Sequence, residues 1–351
     1  MLAATYTQGR GFEIREILSP RCAPDELLVR VQATAICGTD VKIIRHGSRR
    51  AAAGQRLVLG HEFAGTVQEV GAAVAGFTAG MRVGVAPNFG CGRCDACIRG
   101  KANLCADFSA FGIDRDGSHA PVVRIPGAAV AQGNVAELPA SATWEEAALA
   151  EPLACVLNAQ RGVNLAPGES VVVYGVGPMG LLHVILAAAS GAGRIVAVDT
   201  NARRLAKALE LGATLALDGG REAVPERLRA ATGGRGADVV FTAVSVPGVI
   251  PEALSLLAPC GRLSLFAGLA QEQSAVALDA NLIHYRNLTV TGTTGGANAD
   301  YRAALQAIAS RRVDVRPVIS HRFPLAHLQA AYDVALSGQG LKVVLTAGDP
   351  A

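Results

Sequence analysis

The 351-residue chain is 50% hydrophobic and 17% charged, a balance that excludes a disordered polymer and leaves core enough for two domains. Its formal net charge is +3 and its cationic runs are no longer than pairs, which excludes a broad basic surface for nucleic acid. Glu13, Arg15, Glu16 and Asp25 interrupt the N-terminal stretch, so no secretory leader is read there and a cytoplasmic location is the expectation.

Residues 1 to about 147 carry short alternating segments punctuated by glycine and proline, among them 26–32, 65–70 and 81–86. That spacing predicts a mostly β domain with irregular loops. Cys37 stands in Ala35-Ile-Cys-Gly-Thr-Asp40, and His61 in Gly60-His-Glu-Phe-Ala-Gly65. The pattern Cys91-x-x-Cys94-x-x-Cys97-x(7)-Cys105 then brings together four of the eight cysteines. With no leader in view, such crowding points to metal rather than disulfides. Four thiolates at this spacing close a tetrahedral zinc site, which leaves no position for substrate and is therefore structural. Glu151 follows in Ala150-Glu-Pro-Leu-Ala154. One thiolate, one imidazole and one carboxylate with an open fourth position form the donor set of a catalytic zinc. Taken singly, the same residues also read as a buried thiol, a loop histidine and a charge at a helix N-terminus.

From about 152 to 290 the pattern alternates strand and helix. Strands are predicted at 171–174, 194–198, 214–217, 237–241, 261–266 and 287–292, with helices between them, including 202–211 and 251–257. This alternation predicts a six-stranded parallel sheet covered on both faces. Its first strand runs into Gly175-Val-Gly-Pro-Met-Gly180 and then an apolar helical run, 181–189. Gly175 serves the tight turn, Gly177 lets the backbone approach a pyrophosphate, and Gly180 packs helix against strand. The next strand ends in Asp199, where an acceptor for ribose hydroxyls belongs. The apolar stretch 176–193 is read as a buried helix rather than a membrane span, because glycines and a proline open it. His183 is expected to be packed, and Cys22, Cys155 and Cys260 to be small buried hydrophobes. After about 293 the tail is read as a helix at 300–310 and short strands ending at 342–346.

Together these stretches resemble the zinc-dependent medium-chain alcohol and polyol dehydrogenases along essentially the whole chain. The resemblance is carried by Cys37-Gly-Thr-Asp40, Gly60-His-Glu-x-x-Gly65-x-Val67, the four-cysteine loop, Glu151-Pro-Leu153, Gly175-x-Gly-x-x-Gly180, Asp199-x-x-x-x-Arg204-Leu and the stretch from Asp314 to Leu325. It implies an α/β fold: a GroES-like, mostly β catalytic domain at 1–150, completed by 292–351, and a Rossmann domain at 151–291, with the active site in the cleft. It implies two zinc ions per chain, one structural at the four cysteines and one catalytic at Cys37, His61 and Glu151. Glu151, where a cysteine could stand, makes the chain look nearer the sorbitol and threonine dehydrogenase branch, in which Glu62 can share the coordination. Asp40 is expected to accept from the free imidazole nitrogen of His61.

The activity implied is hydride transfer between a nicotinamide dinucleotide and the secondary alcohol of a polyol, sugar derivative or cyclitol, with zinc lowering the pKa of the substrate hydroxyl. Thr39 looks like the hydroxyl that relays the proton outward. Gly175, Gly177, Pro178, Met179 and Gly180 would cradle the cofactor, and Asp199 favours NAD over NADP because a carboxylate repels a 2′-phosphate. Arg204 would flank the adenosine ribose, and an arginine there can also accommodate a 2′-phosphate. Lys42 stands where the family often has the relay's outer histidine, leaving Lys42, His46 or water to finish it. Gly295-Gly296 stand where sorbitol dehydrogenases commonly carry Arg-Tyr, which speaks against glucitol itself. An amino alcohol such as threonine is the alternative substrate, and a nucleotide-binding relative without turnover is the alternative of another class. By resemblance the chain is a homodimer or homotetramer, with strand 287–292 a candidate to pair across a two-fold axis.

Overall fold

The computed structural model describes residues 1–48 and 50–348. The chain divides into two units: residues 1–154 together with the tail from Gly295, and residues 155–294.

The first unit is built around the strand Leu27–Ile36, in which Leu27, Val29, Val31, Ala33 and Ala35 are all buried. It pairs antiparallel with Glu62–Val70, Val122–Ile125 and Lys342–Thr346. The sheet continues through Arg82–Val85 to Val135–Glu137 on one side and ends at Ile319–Pro324 on the other. Strands from both ends of the sequence thus share one sheet. One apolar cluster gathers Leu27, Val29, Phe63, Val67, Phe111 and Ile125. A second gathers Tyr6, Ile36, Leu57, Leu59, Tyr332 and Leu345. The tail also carries the helices Asn298–Ala309 and Leu328–Ser337. The second of these is absent from the sequence reading.

The second unit is the six-stranded parallel sheet that the alternating pattern predicts. Its order is Leu215–Asp218, Arg194–Asp199, Ser170–Tyr174, Ala237–Thr242, Leu257–Leu265, Thr289–Gly292. Strand order reverses at Ser170–Tyr174, which creates the switch point where doubly wound sheets bind ligands. The middle positions of the central strands, Val171–Val173, Ile195–Val198 and Val239–Phe241, are apolar and suit a sheet covered by helices. One boundary differs from expectation: the helix Val249–Ser255 ends early, and the following strand begins at Leu257 instead of 261. The Ala258-Pro-Cys-Gly261 stretch is a bulge inside that strand, where the register jumps from Ala237–Leu257 to Val239–Arg262. The bulge puts Cys260 at φ +62° and exposes it, while Cys22 and Cys155 are only half-buried, so the expectation of three buried thiols does not hold. Among the described residues no helix is long and apolar enough to cross a membrane.

Candidate active site and metal centres

The strand Leu27–Ile36 delivers Cys37 to the N-terminus of the helix Gly38–His46. Asp40, buried in the first turn of that helix, accepts from the Cys37 amide at 2.8 Å and from the Gly60 amide at 3.2 Å. Because the antiparallel register pairs Ala35 with Glu62, Cys37 just after the first strand meets His61 and Glu62 at the start of the second. Ligand atoms of Cys37, His61 and Glu62 all lie within 4.8 Å of one another. Both His61 and Glu62 are buried, and two of their atoms, His61 Nδ1 and Glu62 Oε2, have no hydrogen-bond partner. Burial opposes charge on His61, but Cys37, Asp40 and Glu151 outweigh it and hold its pKa well above the ordinary value. A thiolate, an imidazole and a carboxylate suit zinc among the common divalent ions. The residues present fit the metal.

The geometry bears on two details of the sequence reading. His61 Nδ1 stands 3.7 Å from Asp40 Oδ1, beyond hydrogen-bond length, while backbone amides donate to both carboxylate oxygens. Asp40 therefore braces the two ligand-bearing segments rather than the ring. Glu151, in the first turn of the helix Ala150–Gly162, lies outside the 4.8 Å group. Its charge still raises the pKa of His61, Lys342 and Tyr301. Thr39 is half-buried near Cys37, whereas Lys42 and His46 are exposed.

Lys342 is the functional candidate that sequence reasoning missed. It is 3% exposed and its Nζ is bonded to Glu62 Oε1, 280 positions away in the chain. Burial would discharge it, but Glu62, Cys37 and Glu151 override that penalty and raise its pKa. The available signal was a lysine opening the strand Lys342–Thr346, whose Val343, Val344 and Leu345 are all buried. A strand-end lysine is ordinarily exposed, and only the sheet order, with Glu62–Val70 one strand beyond its neighbour, reveals its partner.

The four-cysteine loop closes on itself. Ligand atoms of Cys91, Cys94, Cys97 and Cys105 lie within 4.8 Å of one another, and Cys94 Sγ is 3.6 Å from Cys105 Sγ. Backbone amides at Arg93 and Cys94 pull the Cys91 thiol down to about 6, while burial, ahead of the neighbouring thiols, pushes Cys97 up to about 11. Four soft donors with no open position suit a structural zinc. The helix Asp95–Ile98 and the turn Ala102–Leu104 contain no buried residue, so the loop has no apolar core of its own.

In the second unit, Gly175-Val-Gly-Pro-Met-Gly180 turns from the strand Ser170–Tyr174 into the helix Pro178–Ala189. A Cβ at Gly180 would lie 1.9 Å from the Gly175 carbonyl oxygen, so only glycine allows helix and strand to pack this closely. A Cβ at Gly177 would meet nothing nearer than Arg204 Nη1 at 3.8 Å, which leaves open ground at the helix N-terminus for a phosphate. Asp199 ends the adjacent strand. Its Oδ2 accepts from the Val176 amide at 2.9 Å, its Oδ1 from the Asn201 amide at 2.9 Å, and Arg204 Nη1 stands 4.0 Å from it. These residues fit a dinucleotide.

Comparison with known proteins agrees with both units. The alcohol dehydrogenase GroES-like domain model matches residues 23–137, and the zinc-binding dehydrogenase model matches residues 178–310. An L-threonine 3-dehydrogenase from Bacillus velezensis is 35% identical over 95% of this chain and 95% of its own. The chain belongs to the zinc-dependent medium-chain dehydrogenases. A sorbitol dehydrogenase from Bacillus subtilis is 32% identical over 98% of this dehydrogenase and 97% of its own length. A crystal structure described as a zinc-binding dehydrogenase from Sinorhizobium meliloti, bound to NADP, superposes with a TM-score of 0.89 at 30% identity, covering 98% of each chain. This dehydrogenase is accordingly an oxidoreductase acting on CH–OH groups, with zinc and a nicotinamide dinucleotide as cofactors.

Proposed function

We propose that this dehydrogenase oxidises a secondary alcohol of a polyol, sugar derivative or cyclitol with NAD as hydride acceptor. The observation that carries this reading is the meeting of the Cys37, His61 and Glu62 donor atoms within 4.8 Å, with His61 and Glu62 buried. Bound there, zinc supplies an open coordination position and the Lewis acidity that brings a substrate hydroxyl's pKa toward neutral.

The chain's own residues do the rest. Cys37 and His61 hold the metal, and Glu62 and Glu151 compete for the remaining protein position. Glu62 offers Oε2 because Lys342 engages Oε1. Thr39 accepts the departing proton and passes it toward solvent past Lys42 or His46. The four-cysteine site holds its own loop. Gly175, Gly177, Pro178, Met179 and Gly180 receive the pyrophosphate, and Asp199 accepts from the ribose hydroxyls. Its carboxylate repels a 2′-phosphate, which favours NAD, while Arg204 lies alongside. Residues 1–154 with the tail from Gly295 act as the catalytic domain, and residues 155–294 as the dinucleotide domain. All eight thiols are unbridged, in keeping with a reducing cytoplasm. Among the described residues the edge strand Thr289–Gly292 pairs with Leu257–Leu265 alone, and a second copy can pair with its other edge.

An L-threonine-type amino alcohol is the second reading, favoured by the 35% identity to the Bacillus velezensis protein of that name. Metal analysis should find two zinc ions per chain, and one in Cys37→Ser. Turnover on a panel of polyols, cyclitols and L-threonine is followed by reduced-nicotinamide absorbance. Activity on L-threonine with none on polyols replaces the first reading by the second. One zinc per wild-type chain with no turnover overturns both.

A further inference from the structure

We propose that His119, together with Tyr332, is a positioning residue for the catalytic metal: a buried clamp that holds the Cys37 segment and the His61 segment at coordinating distance. The inference rests on the zinc reading given above, and no motif in the sequence points to it.

His119 and Tyr332 are both fully buried. Nε2 of His119 lies 3.3 Å from the Ala35 carbonyl oxygen, and Nδ1 lies 2.6 Å from the Tyr332 hydroxyl. A carbonyl only accepts, so Nε2 carries the proton and Nδ1 accepts from Tyr332. Burial disfavours the imidazolium against the pull of Asp40 and keeps the ring neutral. Both nitrogens are thereby satisfied, and the ring has one orientation. Ala35 is two residues before Cys37 and is paired in register with Glu62.

The same ring also braces the His61 segment. Its Cδ2 would lie 2.5 Å from a Cβ at position 60, so the imidazole is stacked directly on the Gly60 backbone. The His119 amide donates to Leu59 O at 2.8 Å and the Ser118 amide to Gly60 O at 3.0 Å, two positions and one position before His61. The Ser118 hydroxyl is 2.7 Å from that of Thr34, again on the Cys37 strand. Asp40 ties the same two segments through the Cys37 and Gly60 amides. His119 and Asp40 are thus two independent braces on one pair of ligand-bearing segments. Tyr332, on the helix Leu328–Ser337, carries the clamp into the C-terminal tail.

The test measures zinc loss from the full-length holoenzyme to excess EDTA, with Cys37→Ser and Cys97→Ser assigning the two rates. Groups that orient metal ligands are worth about 10- to 100-fold in metal affinity. His119→Leu, which removes both ring nitrogens, should speed loss from the Cys37–His61 site by that factor and leave the four-cysteine rate unchanged. Tyr332→Phe should give the smaller part of the effect, and it keeps the test decisive if His119→Leu does not fold. His119→Gln retains one donor and one acceptor and should restore most of the wild-type rate. With cobalt at the catalytic site, the thiolate charge-transfer and d–d bands should shift in His119→Leu, which a role confined to stability would not cause. Wild-type rates and bands in the folded variants overturn the clamp while leaving the zinc site standing. One zinc per wild-type chain overturns the zinc reading itself.

Discussion

Lys342 and Glu62 form a buried ion pair beside a thiol, so removing either member leaves its partner charged in a medium that solvates it poorly. Lys342→Met should cost up to about 3–5 kcal/mol in urea unfolding, and adding Glu62→Gln in the same chain should recover much of the loss. Equal unfolding midpoints for wild type and Lys342→Met would sink this account. His183 presents the opposite case, a buried ring with no charged partner. It lies 4.4 Å from the Phe241 ring and 4.6 Å from the Phe266 ring, with both nitrogens unpartnered, and burial drives its pKa down to about 3. The unfolded chain takes up a proton here below about pH 6.5, whereas the folded chain does not until about pH 3. Stability contributed by the neutral ring is therefore full above pH 6.5 and falls by about 1.4 kcal/mol per pH unit between those values. His183→Phe should flatten the curve by that slope, and identical curves for the two proteins between pH 7 and 5 would refute it.

At the scale of elements, the dinucleotide turn depends on one close approach. Gly180→Ala places a Cβ 1.9 Å from Gly175 O and pushes the helix Pro178–Ala189 off its strand. The strain should cost about 1–3 kcal/mol, and calorimetric titration should show NAD binding weakened by roughly tenfold or more. Unchanged affinity would mean that the turn does not carry the cofactor. This element was legible in the sequence because its requirements are local: a buried strand, three glycines at fixed offsets and a carboxylate one strand later. The four-cysteine loop was legible for the same reason, its donors lying within fifteen residues. The bulge at Ala258–Gly261 was not. Pro259 and Gly261 carry turn signals, and only pairing with Ala237–Thr242 makes them part of a strand. The helix Leu328–Ser337 escaped because its apolar face, Leu328, Ala331 and Tyr332, is short and lacks a strong N-cap.

For the whole molecule, each cofactor should stabilise the unit that supplies its residues. NAD at a hundred times its dissociation constant adds about 2.7 kcal/mol to the state that binds it. Hydrogen exchange should therefore slow at the strands Ser170–Tyr174 and Arg194–Asp199, which bear the turn and Asp199. If NAD leaves exchange at both strands unchanged, the dinucleotide site lies elsewhere.

The parallel six-stranded sheet, the glycine turn and the four-thiol cluster could be read from the chain alone, because periodicity and ligand spacing act over a few residues to a few tens. The resemblance brought Cys37, His61, Glu62 and Glu151 forward as a set, but spacing alone left each of them open to an ordinary structural reading. The fold brings donor atoms of Cys37, His61 and Glu62 within 4.8 Å of one another, with Glu151 outside that group. It also supplied Lys342 and the pair His119–Tyr332, separated in sequence by 280 and 213 positions from the groups they bond. No local pattern records such partners. Lys342 and Glu62 meet because the strand Leu27–Ile36 pairs on one side with Glu62–Val70 and on the other with Lys342–Thr346, a register set by which faces are buried.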